Sequence, residues 1–223
     1  MEKRYSKNLG ALTAEEMRQL KTKCVFVAGC GGLGGYCIEM LGRLGIGGLT
    51  VADGDSFEKT NLNRQLLSSE SNLGQSKALA AKQRLSEINS LLTVRALAVN
   101  INESNAEELL AGHDLAVDAL DSTEARRILA GGCEKLGIPL VHGAISGWRA
   151  QISVLIPGGG GLDSIYPPGV RVQAGSSLSF TPALAAAIQA AECAKLLCGR
   201  GELLESRLLL VDLLTQEYNI ITL

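Results

Sequence analysis

Residues 24–34, CVFVAGCGGLG, constrain this chain more than any other stretch. CVFVAG reads as a short buried strand, and a helix over 33–45 follows at once from a glycine-rich start. Glycines between a strand and a helix allow a tight turn. They also let phosphates approach backbone N–H groups at the helix N-terminus. Gly29, Gly31, Gly32 and Gly34 are therefore candidate nucleotide-binding positions. LTVAD, residues 49–53, is the next strand, and Asp53 ends it 19 residues after Gly34. An acid at that place accepts hydrogen bonds from ribose hydroxyls. The glycines alone leave NAD, FAD, S-adenosylmethionine and ATP open.

The alternation continues along the chain. Helices are expected over 75–89, 103–111 and 123–136, and strands over 93–99, 115–120 and 139–143. In 75–89, Leu79, Leu85 and Ile88, with Lys82 between them, mark the expected inner face. Short apolar strands separated by helices imply an α/β fold, a Rossmann-like, doubly wound, mostly parallel sheet. The last third differs. QISVLIP reads as a strand, and residues 158–177 are rich in Gly, Pro and Ser without periodicity. A loop of that length is a lid, a partner-binding loop or disordered, and 157–180 is assigned as a flexible crossover loop. An Ala-rich helix from Thr181 or Pro182 to Cys198 follows, packed in the core or against a second subunit. RLLLVDLL and EYNIITL close as an antiparallel hairpin around Thr215–Gln216. One domain over 1–223, with a helical arm over 1–20, is the expected organisation.

Composition excludes several classes. A formal charge of −2 and scarce aromatics give no case for a nucleic-acid binder. The polar N-terminus lacks the apolar centre of a signal peptide. The most apolar helix candidate, 182–198, contains Gln189, Glu192 and Lys195, so no membrane span is expected. A soluble, cytoplasmic protein is the expectation. The six cysteines form no CxxC pair and read as small buried hydrophobes, so no zinc is expected. His142 ends a strand and reads as a packed or hydrogen-bonded histidine.

The stretch DGDSFEKTNLNRQ, residues 53–65, narrows the nucleotide. A dinucleotide's pyrophosphate needs few cations beyond the glycine loop. Here Arg64 and Gln65 follow Asn61, and Lys77 begins the next helix. Arg64 can fork around phosphate oxygens and Lys77 can supply a point charge, which suits a triphosphate. In DLAVDALDS, Asp118 lies in a strand and Asp121 just beyond it. An ATP site needs Mg²⁺ held by one or two carboxylates and phosphate oxygens. Asp121 is placed for that role, or for capping the helix that follows; Asp118 reads as a structural acid.

GCGGLG, DGDSFEKTNLNRQ, NLGQSK, DLAVDALDS and VHGAISGWRAQ occur in the order and spacing of the ThiF/MoeB/HesA family, within the ubiquitin-activating-enzyme superfamily. The resemblance covers almost the whole chain. It implies Mg-ATP-dependent adenylation of the C-terminal glycine carboxylate of a small ubiquitin-like sulfur carrier ending in Gly-Gly, with release of pyrophosphate. It also implies a homodimer. By the same resemblance Gly32 lines the ATP site and Asp53 binds ribose. Asn61 and Arg64 contact phosphates, Lys77 neutralises the transition state and Asp121 holds Mg²⁺. Asp55 then remains as a supporting acid.

Three departures stand out. The family's N-terminal arginine, which reaches a neighbour's ATP, is replaced by Lys7 in RYSKN, with Arg4 as a substitute. The family's CxxC zinc pairs are missing. Arg171 stands where covalent-intermediate relatives carry a cysteine, which points to adenylation only. The carrier and its pathway (thiamine, molybdenum or tungsten cofactor) stay open. Alternatives are adenylation of threonylcarbamoyladenosine in tRNA, an NAD(P)-dependent oxidoreductase, and a non-catalytic carrier-binding partner.

Overall fold

A computed structural model describes residues 2–169 and 175–223. The expected crossover loop 157–180 therefore falls partly, and Arg171 wholly, outside the described residues. Among the described residues, eight strands form one sheet in the order β3-β2-β1-β4-β5-β6-β7-β8. β1 (Cys24–Ala28), β2 (Gly48–Ala52), β3 (Thr93–Leu97), β4 (Leu115–Asp118) and the start of β5 (Leu140–Ser146) run parallel. β6 (Arg149–Leu155), β7 (Arg207–Asp212) and β8 (Glu217–Thr222) extend β5 in antiparallel fashion. The mostly parallel sheet with antiparallel C-terminal strands is the one expected from the sequence.

Helices cover both faces, which explains the continuous apolar runs of the central strands. Val25 and Val27 of β1 join one core with residues of α1 (Ala14–Leu20), α2 (Gly32–Leu44), α3 (Lys77–Ile88) and α6 (Phe180–Cys198). Phe26 and Ala28 face the other core, built with α4 (Ala106–Leu110) and α5 (Thr123–Leu136). Each large side chain buried in these cores contributes about 1.5–3 kcal/mol. α6 is a core helix, and its buried polar residues serve the backbone. Gln189 donates to the carbonyls of Asp118 and Val141, and Glu192 accepts from the Leu204 N–H.

Several boundaries shift from the sequence expectation. β5 runs three residues beyond 143 because it pairs with β6 across a tight Gly147–Trp148 turn, with Gly147 at φ +58°. α3 buries Ala78, Ala81 and Leu85 with Ile88 against them, whereas Leu79 is exposed. Tertiary packing thus prefers the alanine stripe, which lets the helix lie close to the sheet. Within the described part of the N-terminal arm, residues 2–20, a 3-10 turn at Lys3–Tyr5 precedes α1, so the arm is partly helical. Residues 162–168 are held in place: Leu162 and Tyr166 are buried, and Arg127 donates to the carbonyls of Tyr166 and Pro167. The crossover segment is therefore anchored at its first half.

Four cysteines, Cys30, Cys37, Cys133 and Cys193, are buried, and all six are free thiols. Burial pushes the Cys133 thiol up to about 12. No helix among the described residues is long and apolar enough to cross a membrane.

Candidate active site

The sheet's strand order reverses between β1 and β4, and a cavity opens at the carboxyl ends of those strands. That is where ligands bind in open α/β sheets. Its floor is the glycine turn. Gly29 has φ +96°, and a Cβ there would lie 2.6 Å from the Ala119 carbonyl oxygen. A Cβ on Gly34 would lie 1.9 Å from the Gly29 carbonyl oxygen, so Gly34 sets the helix-to-turn packing without lining the cavity. Gly31 and Gly32 do line it. Gly31 caps α2 without a side chain, leaving first-turn N–H groups for a ligand.

Asp53 braces this turn. One carboxylate oxygen accepts the Cys30 N–H at 2.7 Å, and the other accepts the Asp55 N–H at 2.8 Å. Burial raises its pKa above the ordinary value, against the pull of those two N–H groups and Lys77. Lys77 opens α3 and is itself buried, and its ammonium pairs with the exposed Asp55 carboxylate at 2.9 Å.

The 53–65 stretch divides its work differently from a row of ligand contacts. Asn61 is buried in a 3-10 turn, Lys59–Asn61, and does not line the cavity. Its side-chain oxygen accepts the Glu58 N–H, and its carbonyl accepts the N–H groups of Arg64 and Gln65. Asn61 thus shapes the turn that presents the two residues lining the cavity. Arg64 lies along Gly32, and its guanidinium donates to the Thr60 carbonyl and the Asn63 side chain. Gln65 is buried, and its side-chain oxygen has no hydrogen-bond partner.

At the end of β4, Asp118 is fully buried and Asp121 is exposed on the cavity rim. Ser122, not Asp121, caps α5 by accepting the Ala125 N–H. Asp121 is thereby left to the cavity. Lys7 is exposed in the N-terminal arm and is not part of this chain's cavity wall. Arg4 is tied to Asn89 at 2.7 Å and to Ser90 at 3.2 Å.

Among the lining residues that the sequence reading does not name are Asn100, Arg126 and Tyr166. Asn100 follows β3 and accepts the Gly54 N–H. Arg126 sits in the first turn of the helix after Asp121, a position that a strand-to-helix reading at the sheet edge could have flagged. Tyr166 carries no sequence signal of its own.

The donor set fits a polyanion with a divalent cation. It offers an uncapped helix N-terminus, three cations at Arg64, Lys77 and Arg126, an unpartnered buried amide oxygen at Gln65 and a free carboxylate at Asp121. No group of three or more His, Cys, Asp or Glu among the described residues could hold a metal by itself, so a cation here would share its coordination with phosphates.

Comparison with known proteins agrees with this geometry. Residues 5–223 match the ThiF family. The chain is 35% identical over 217 residues to a SAMP-activating enzyme E1 of Haloferax volcanii, covering 94% of this chain and 80% of that protein. It is 34% identical to a sulfur carrier protein adenylyltransferase of Thermus thermophilus, covering 93% and 81%. Other curated relatives are longer, and the chain spans 48% to 59% of their lengths. A crystal structure of E. coli MccB with ATP superimposes with a TM-score of 0.84 at 25% identity, covering 100% of this chain and 71% of that one.

Proposed function

The chain belongs to the ThiF family, and from that footing we propose that it uses ATP to adenylate the C-terminal carboxylate of a small ubiquitin-like sulfur carrier. The observation that carries this reading is the convergence of the glycine turn, Arg64, Lys77 and Asp121 on one cavity. In the reaction, a carboxylate oxygen bonds to the α-phosphorus, the α–β bridging bond breaks, and pyrophosphate leaves with its electron pair. The nucleophile is already ionised, so no general base is needed. The protein's task is alignment and charge neutralisation.

Each residue has a place in that task. Asp53 accepts ribose hydroxyls with its remaining lone pairs while bracing the glycine turn. Arg64 and Lys77 turn to the phosphates, Lys77 leaving Asp55 for a stronger anion. Gln65 offers a polar edge and Asn61 supports both neighbours from behind. Mg²⁺ held by Asp121 would offset phosphate charge. None of the cysteines is among the cavity's lining residues, which supports adenylation without a covalent cysteine intermediate. The 223 residues act as one unit, and Lys7 reaches a partner's ATP in a homodimer.

The test is exchange of labelled pyrophosphate into ATP, driven by each ubiquitin-fold protein ending in Gly-Gly from the source genome. Exchange is expected with one of them, and its loss in Arg64→Ala and Asp121→Ala. Stabilisation of the wild-type protein by NAD or NADP and not by Mg-ATP in a thermal shift would refute the reading.

A further inference from the structure

The cavity's wall changes chemistry along the sheet. Toward β2 and α3 it carries Arg64, Gln65 and Lys77; toward β5 it carries Arg126, Tyr166, Ala144 and Ile145. A second cleft, about 440 Å³, lies over the antiparallel strands, lined in part by Gln151, Leu210 and Asn219. Its volume is within the range of ligand sites. Ala144, Ile145 and Tyr166 line both spaces, so the cleft meets the nucleotide cavity at Tyr166.

Arg126 stands at this junction. It is only 7% exposed, yet it lines the nucleotide cavity. One terminal nitrogen donates to the Tyr166 hydroxyl at 2.6 Å and the other to the Leu120 carbonyl at 2.5 Å. The buried Nε has no hydrogen-bond partner and lies 3.9 Å from the Asp118 carboxylate, too far for a hydrogen bond. A guanidinium has five N–H donors, so each terminal nitrogen keeps one uncommitted. A cation this buried is costly unless it is compensated. Compensation comes from beneath: Asp118 accepts from His142 Nδ1 at 2.7 Å and from the Leu120 N–H at 3.0 Å. Nδ1 of His142 therefore carries the proton, and Nε2 accepts, facing the Tyr166 hydroxyl at 3.4 Å. Gln151 donates to the same hydroxyl at 2.5 Å. Tyr166 is held by three partners, and it in turn fixes Arg126.

We infer that Arg126 receives the attacking carboxylate, with Tyr166 as its positioning residue and Asp118–His142 as its buried counter-charge. The inference rests on the adenylation reading. Two anions must meet in one cavity, and Arg64 and Lys77 serve only the phosphates. A carboxylate arriving through the cleft passes Tyr166 and meets Arg126 first. The planar fork of an arginine matches a carboxylate's two oxygens.

The test uses the full chain in acceptor-dependent pyrophosphate exchange. As competitors it uses synthetic peptides of the acceptor's C-terminal tail, with a free or an amidated terminus. The wild-type enzyme is expected to prefer the free acid by about tenfold or more, as a charge-assisted contact requires. Arg126→Gln should lose that preference and raise the acceptor KM by about tenfold or more, with Mg-ATP affinity held within about twofold. Tyr166→Phe should lower acceptor kcat/KM by a smaller factor. If Arg126→Gln fails to fold, the charge-balanced double variant Arg126→Gln/Asp118→Asn takes its place. An unchanged acid-over-amide preference in a folded Arg126 variant overturns the inference, as does a loss confined to Mg-ATP affinity. No exchange in the wild-type enzyme with any acceptor overturns the adenylation reading, and this inference with it.

Discussion

Gly34→Ala should cripple nucleotide binding from a position that is not among the cavity's lining residues. The added methyl would sit 1.9 Å from the Gly29 carbonyl oxygen and 3.3 Å from the Ala119 side chain, whereas real Cβ contacts stay beyond 3.0 Å. About 1 Å of movement is therefore forced between α2 and the glycine turn. Neither side yields cheaply. Gly29 is itself wedged at 2.6 Å from the Ala119 carbonyl, and the Cys30 N–H is pinned by Asp53. Alanine in a helix gains about 0.5–1 kcal/mol over glycine, and overpacking costs about 1–3 kcal/mol. The net loss is about 1–2 kcal/mol, or roughly 2–8 °C in Tm for a chain of this size. The functional loss is larger, because a displacement of about 1 Å at a reacting group can cost about a hundredfold. Gly131→Ala is the control, since a Cβ there meets nothing within 4 Å and α5 should gain stability. Thermal unfolding and calorimetric titration with Mg-ATP read both effects. A Gly34→Ala protein with wild-type Tm and wild-type ATP affinity would refute the steric argument.

Two further outcomes concern stability. Burial depresses the pKa of His142 below its ordinary 6.5, despite the pull of Asp118. The unfolded chain therefore takes up a proton that the folded one refuses, and stability is full above 6.5 and falls as pH drops below it, by at most about 1.4 kcal/mol per pH unit. Asp118 acts lower: burial works to raise it, but Arg126, His142 and the Leu120 N–H hold it below 3.8. Its contribution is present above 3.8 and lost as pH falls through its folded value. Urea unfolding at several pH values should show a flatter profile between pH 6.5 and 5 for His142→Gln; curves parallel to wild type would contradict the assignment. Asn89→Ala removes donors to the Tyr5 hydroxyl and the Gly42 carbonyl and the acceptor for Arg4. It should cost about 2–3 kcal/mol and speed proteolysis before residue 14, and an unaltered cleavage rate would count against this anchoring of the arm.

Where local chemistry punctuates the chain, the sequence reading and the structure agree closely. α5 occupies the expected 123–136, because Ser122 caps one end and Gly137, at φ +69°, ends the other. β1 and the glycine turn were legible because an apolar run must be buried and clustered glycines must mark a tight approach. The β5–β6 hairpin was less so: Ser146 and Arg149 pair around Gly147, yet GAISGW offers small residues rather than an alternating pattern. α3 misled for a different reason. Leu79 is the more hydrophobic choice for an inner face, but the close approach of helix and sheet selects Ala78 and Ala81 beside the expected Leu85.

The candidate site divides along the same line. Its phosphate half comes from residues 53–77, contiguous in the chain, so charge and spacing reveal it without a fold. Even there, charge and spacing name Asn61 without revealing the turn it holds, in which its side-chain oxygen accepts the Glu58 N–H and its carbonyl accepts the Arg64 and Gln65 N–H groups. The other half is assembled from β4, β5, β6, α5 and the 162–168 segment. Asp118, His142, Gln151 and Arg126 are each unremarkable in isolation, and Tyr166 sits in a stretch that looks like loop. Only parallel pairing of β4 with β5, which sets Asp118 beside His142, brings them together. A buried acid, a neutral histidine and a buried arginine cannot stay close without satisfying one another, so finding one of them fully enclosed is reason to look for the rest. The histidine that reads as packing is packed, and its hydrogen bond to Asp118 is what allows a charged arginine to stand at the cavity wall.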